Sequence, residues 1–248
     1  MLSVTPEIVD ATYTYLSFNV NYRYNPSLTN FNQGELDSRI RDTIDKFAVR
    51  NLQNFNGIYR NSNLSADIDQ TNPAILNNTI DVTARKNITV TPGTGDAHDL
   101  NFAFELEGEI DQSRSFITST SFIKNGVETF IADEFISGST TERNIYAYRT
   151  GQAGTGGRQI RVTPSVGTLN ISTGKVSISN VVPDADSEIQ ISVTPKSKDV
   201  FTEKRNIIQV DLAASSITGT IDGSGGTPAG SVANVSTADG APTYSTGY

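Results

Sequence analysis

From Thr12 to Tyr24 the chain alternates in a period of two. Thr14, Leu16, Phe18, Val20, Tyr22 and Tyr24 share one face, and Tyr13, Tyr15, Ser17, Asn19, Asn21 and Arg23 share the other. The pattern predicts a strand with one apolar, aromatic face and one wet face. Pro26 cannot donate to a ladder and biases Asn25 away from helix, so the strand ends there. Leu36, Ile40, Ile44, Phe47 and Leu52 then recur at helical spacing, a stripe that can lie on the apolar face of the strand.

A second, shorter helix follows, with Ser62 as its expected N-cap, Leu64 and Ile68 on its apolar side, and Asn72-Pro73 as its stop. Ala74 to Val90 returns to alternation through Ile80, Val82, Ile88 and Val90, and Thr91-Pro92-Gly93 closes it. The fold class is therefore α+β. A lead-in of residues 1–10 precedes a strand-helix-helix-strand unit in residues 11–96.

Beyond that point the helical period disappears, and residues 97–214 read as an all-β domain of the antiparallel sandwich or barrel-like kind. Its expected strands are Leu100 to Ile110, Phe116 to Ile123, Val127 to Ile136, Arg143 to Tyr148, Gln159 to Thr163, Thr168 to Ile171, Lys175 to Ser179, Glu188 to Thr194 and Asn206 to Asp211. Asn125-Gly126 is a strong hairpin signal. Residues 215–248 are rich in Gly, Ser and Thr and poor in apolar side chains, which predicts a tail that is disordered or captured by a partner.

Composition removes several classes of function. Nineteen Lys+Arg stand against 27 Asp+Glu, and the net charge of -8 disfavours a nucleic-acid partner. With zero Cys there are no disulfides, thiolate nucleophiles or cysteine zinc sites. No apolar run approaches the roughly 18 residues needed to span a bilayer, and the first ten residues lack the pattern of a signal peptide, so no membrane association is expected.

Little chemistry is legible. The glycine-rich stretch Gly151 to Arg158 has Gly157 where a phosphate-binding loop needs lysine, and reads as a hairpin loop. His98, the single histidine, sits in the loop GDAHDL and would have to serve any catalytic triad alone. Asp67 with Asp69, and Asp184 with Asp186, lack the spacing of a calcium loop. No catalytic residue, metal site or cofactor is assigned.

The order of motifs resembles the C-terminal half of the baseplate wedge protein of T-even-type bacteriophages, within the baseplate J-like family. The matching positions begin with Tyr24, Asn25, Pro26, Leu28 and Thr29 at the strand end, then Leu52 and Phe55, then Ile68-Asp69, then Ile75 and Asn77-Asn78. Gly167, Thr168, Thr173, Gly174 and Val176 fit the family's hairpin, and Asp199, Val200, Arg205, Asn206 and Ile208 its penultimate strand. The resemblance spans roughly residues 4–213. Family members also carry a large N-terminal region, and the resemblance begins where that region would end.

The resemblance implies a structural, non-enzymatic subunit of the contractile-tail baseplate, made in the host cytoplasm and located in the virion tail. It further implies pairing with itself, joining of neighbouring wedges into the inner baseplate ring, and contact with other wedge and hub proteins. Aromatic and arginine side chains are the usual interface anchors, which selects Tyr13, Tyr15 and Arg23 on the strand and Arg39, Arg41 and Arg50 on the helix. The alternative is a carbohydrate-binding tail-fibre or adhesin module, in which exposed tyrosines would stack on sugar rings.

Overall fold

Strand β1 (Thr12–Tyr24) is the axis of the structure, a computed structural model that describes residues 11–55, 57–108, 115–151, 159–203 and 205–222. Its even-numbered side chains from Thr14 to Tyr24 are all buried, as the alternation requires. A 3-10 turn at Pro26–Leu28 follows, and helix α1 (Gln33–Asn51) then opens with a capping box. There the Asn32 carboxamide oxygen accepts from the Glu35 N–H at 3.0 Å, and the Glu35 carboxylate accepts from the Asn32 N–H at 2.8 Å. Leu36, Ile40, Ile44 and Phe47 are buried, so α1 lies on the apolar face of β1. Tyr22 locks the pair together by donating its hydroxyl to Asp37 at 2.7 Å. Burial, with Asp37 beside it, pushes the Tyr22 phenol well above its ordinary range.

Helix α2 (Asn61–Asp69) departs from expectation at its start. The residue at its N-cap is Arg60, which makes no side-chain cap, rather than Ser62. The first turn is satisfied from far along the chain, where the Asp199 carboxylate accepts from the Asn61 N–H at 3.0 Å and pairs with Arg60 at 3.1 Å. Tyr59, just upstream, is fully buried and exchanges two backbone hydrogen bonds with Val200. Strand β2 (Ile75–Val90) then runs antiparallel to β1 and completes the strand-helix-helix-strand unit.

The remaining strands are β3 (His98–Asn101), β4 (Ile117–Ser119), β5 (Phe122–Lys124), β6 (Val127–Phe135), β7 (Glu142–Thr150), β8 (Gln159–Asn170), β9 (Lys175–Ile178), β10 (Ser187–Val193), β11 (Asn206–Val210) and β12 (Ser216–Ile221). They form two six-stranded sheets. In the first, the order is β11-β1-β2-β10-β4, with β12 beside β11 along the same edge of β1. In the second, an antiparallel half-barrel, it is β3-β9-β8-β7-β6-β5. Both sheets contribute to one contiguous apolar cluster, from Leu16 and Ile40 to Ile145 and Leu169.

Four expectations change in detail, the first being that Gln159 to Thr163 and Thr168 to Ile171 are one strand, β8, which stays paired with β7 through a shift in register near Ala147. The alternating run from Leu100 onward buries Phe102, Phe104 and Leu106, but its ladder stops at Asn101, and Ala103 turns the backbone with φ 62°. Phe116 to Ile123 is two strands, because β4 joins β10 in the first sheet and β5 joins β6 in the second. The tail from residue 215 also begins with an ordered strand. β12 is too poor in apolar residues to fold by burial alone, yet it pairs parallel with Asn19 to Tyr24 and is held by the backbone ladder. Gly219 permits this approach, since a Cβ there would lie 2.5 Å from Cζ of Tyr22. Residues 1–10, most of the glycine-rich loop (152–158) and residues 223–248 lie outside the described residues.

The sheets are joined where β4 passes β6. Asp133 accepts from the Ile117 N–H at 2.9 Å and from Nε of Arg143 at 2.5 Å, with both charged side chains almost fully buried. The Arg143 guanidinium also lies 4.9 Å from the ring centre of Phe116. Burial pushes the Asp133 carboxyl up, against the pull of the Ile117 N–H and Arg143. Asn125-Gly126 forms the expected two-residue hairpin turn, with φ of 54° and 70°. Its two N–H groups donate to Asp184 at 2.8 and 2.6 Å, which holds that carboxyl below the usual range.

Candidate assembly interface

The odd-numbered face of β1 is continued across the sheet by polar side chains. Opposite Tyr15, Ser17, Asn19, Asn21 and Arg23 stand Arg85, Thr83, Asp81, Thr79 and Asn77 of β2, and β12 adds Ser216, Thr218 and Thr220. Tyr13 is 42% exposed and its ring centre lies 6.4 Å from that of Tyr15. The Arg85 guanidinium sits 5.1 Å from the Tyr15 ring centre and pairs with Asp211 at 2.9 Å. The aromatic pair is thus fixed from one side by a cation that the protein already neutralises.

Beside these rings is a cleft of about 290 Å³, bordered by Lys86, Asn87, Asp99 and Leu100. Lys86 is nearly buried on the apolar side of β2, with its ammonium 5.8 Å from the ring centre of Phe102. Burial lowers the affinity of Lys86 for its proton, and the charge of Glu203 opposes this. Arg23 is exposed at the far end of β1, opposite Asn77.

The three helix arginines lie on the outward side of α1, and α1 covers the even-numbered face of β1. Strand and helix residues therefore lie on opposite sides of the first sheet and do not make one patch. Each arginine also has a partner within the chain. Arg39 stacks 3.9 Å from the ring centre of Phe31, Arg41 donates to the Leu212 carbonyl at 2.7 Å, and Arg50 pairs with Asp67 at 2.5 Å.

The residues considered for chemistry are dispersed. His98 is the first residue of β3 rather than part of a loop, and its Nε2 is buried without a hydrogen-bond partner. Asp67 is taken by Arg50, Asp69 accepts from the Asn78 carboxamide at 2.7 Å, and Asp184 is held by the turn amides. Among the described residues no group of three or more His, Asp or Glu is placed to hold a metal ion, and no helix is long and apolar enough to cross a membrane.

Asp133, Arg143 and Asp199, which tie distant segments together, carried little signal in the sequence. Arg143 alone left a trace, because it shares its side of β7 with buried Ile145 and Ala147, where an apolar residue is expected. Asp199 acts across 138 residues, and nothing local marks it.

No curated protein matches the chain significantly. Residues 12–87, which comprise β1, both helices and nearly all of β2, match the family described as baseplate structural protein gp6, C-terminal domain III. In this unit, which is less than half of the chain, the protein is similar to a structural domain of the phage baseplate.

Proposed function

We propose that this protein is a wedge subunit that pairs with a second copy, and that copies from neighbouring wedges close the inner ring of the baseplate. The match of residues 12–87 to a baseplate structural domain carries this reading. One further feature supports it: a broad polar sheet face left open to contact. Tyr13, Tyr15 and Arg23 on one side, and Arg39, Arg41 and Arg50 on the other, are the proposed contacts with copies and with other wedge or hub proteins. Their separation suits a ring, in which each subunit needs two distinct surfaces.

Sedimentation velocity of the full chain from about one to one hundred micromolar tests the pairing, because modest interfaces assemble in that range. The expected result is a reversible dimer, weakened by Arg39→Glu with Arg41→Glu. A monomer at every concentration removes self-pairing from the reading. Specific binding of a glycan by that monomer would favour the carbohydrate-binding alternative instead.

A further inference from the structure

Strand β12 forms one rim of the first sheet. It pairs with β1 on its inner side, and among the described residues no strand pairs with its outer side. In a parallel ladder alternate residues turn their backbone groups to the same neighbour. The Asp222 N–H donates to the Tyr24 carbonyl at 2.9 Å, which assigns the even-numbered residues Thr218 and Thr220 to β1. Ile217, Gly219 and Ile221 therefore turn their N–H and C=O groups outward.

Exposed edges are normally guarded by charge, proline, a bulge or short length. Of the other rims, β4 and β5 have three residues each and β3 carries Asp99, while β11, on the same side of β1 as β12, is uncharged but has no self-complementary sequence. β12 has six residues, no charge and no proline. On the helix-covered face, Ile217 packs against the core while Ile221 is 63% exposed. An uncharged, threonine- and isoleucine-bearing edge is a template for another strand.

The identity of that strand follows from the sequence of the edge. Ile217-Thr218-Gly219-Thr220-Ile221 reads the same in both directions. Antiparallel pairing of two such edges about a two-fold axis through Gly219 sets Ile217 opposite Ile221 of the second copy, Thr218 opposite Thr220, and Gly219 opposite itself. The outward groups of Ile217, Gly219 and Ile221 meet as hydrogen-bonded pairs, the exposed Ile221 gains an apolar cross-strand neighbour, and the threonines pair on the wet face. A different partner strand would use the same backbone groups but would place no demand for a palindrome on this chain.

We propose that two copies join through β12, edge to edge and antiparallel about Gly219, so that the first sheet continues across the dimer. This deepens the self-association proposed above and rests on it, while adding a contact distinct from the tyrosines and arginines named there. A six-residue edge buries less than the roughly 1,200 Å² of a stable interface, so the pairing is weak and reversible.

Two substitutions keep β12 on β1 while blocking its outer side. Ile221→Lys places a charge on the edge at an exposed position, and Ile221→Pro removes an outward N–H that β1 does not use. Each should raise the dimer dissociation constant of the full chain at least tenfold in sedimentation velocity, with the melting temperature unchanged. The absence of cysteine permits a test of register. Thr218 and Thr220 of the second copy form a non-hydrogen-bonded pair with Cα atoms about 4.5 Å apart, within disulfide reach. A mixture of Thr218→Cys and Thr220→Cys chains should therefore oxidise to a cross-linked dimer, and either chain alone should not.

A wild-type dimer indifferent to both Ile221 variants overturns the edge pairing and leaves self-association standing. Equal cross-linking of a single cysteine variant overturns the two-fold register. A wild-type monomer throughout overturns the edge pairing together with the self-pairing it rests on.

Discussion

Two ion pairs of equal length hold different parts of this molecule in different ways. Arg50 and Asp67 join α1 to α2 at 2.5 Å, with 63% and 31% of their side chains exposed. Arg143 and Asp133 also meet at 2.5 Å, with 3% and 0% exposed, at the seam between the sheets. In water the first pair is screened and competes with solvent, so it adds little to a helix contact that Ile44, Phe47, Leu64 and Ile68 already make by burial. The second pair has left water entirely, and neither charge has a solvated alternative in the folded protein. Distance alone thus says nothing about worth.

The largest test of that contrast is Arg143→Met, which leaves the Asp133 carboxylate buried without its cation. Urea unfolding should show a loss of about 3–5 kcal/mol. Adding Asp133→Leu should recover part of it, since the pair is then replaced by apolar packing, although the Ile117 N–H lacks its acceptor. A single variant that unfolds like the wild type would mean that water reaches the seam. Asp199→Ala lies between the extremes, because that carboxylate is 26% exposed and caps α2 as well as pairing with Arg60. The expected loss is about 1 kcal/mol, with faster amide exchange at Asn61 to Asn63. Smallest is Arg50→Ala, with a loss of roughly 0.2–1 kcal/mol that disappears in 1 M salt. Sodium chloride should leave the Arg143→Met difference nearly intact.

The same contrast separates what was readable along the chain from what was not. In the strand-helix-helix-strand unit, burial depends on period, and period is local. Leu16, Phe18, Val20 and Tyr22 on the strand, and Leu36, Ile40, Ile44 and Phe47 on the helix, identified their inward faces before any partner was known. In the second half, alternation marked strands but not sheets. Phe116 to Ile123 looks like one strand because Thr120 and Ser121 are not strong breakers, and only the competing neighbours β10 and β6 divide it.

The proposed contacts divide in the same way. Tyr13, Tyr15 and Arg23 could be assigned to the wet side of β1 from parity, and Arg39, Arg41 and Arg50 to the outer side of α1 from helical period. That the two sets lie on opposite sides of a sheet, and that each helix arginine has a partner within the chain, depends on packing between segments far apart in sequence.

By itself, then, the sequence determined which residues face inward in β1, α1 and the hairpins, and it excluded disulfides, cysteine metal sites and a membrane-spanning apolar run, since these depend only on composition and short-range spacing. The tertiary structure decided the rest. It brought β4, β10, β11 and β12 into the sheet of β1, set Asp199 on a helix 138 residues away, and buried Asp133 against Arg143. It also left the Ile217 to Ile221 edge without a described strand partner. Such pairings are chosen by competition among many similar strands for backbone partners, a competition that is resolved only when the whole core closes.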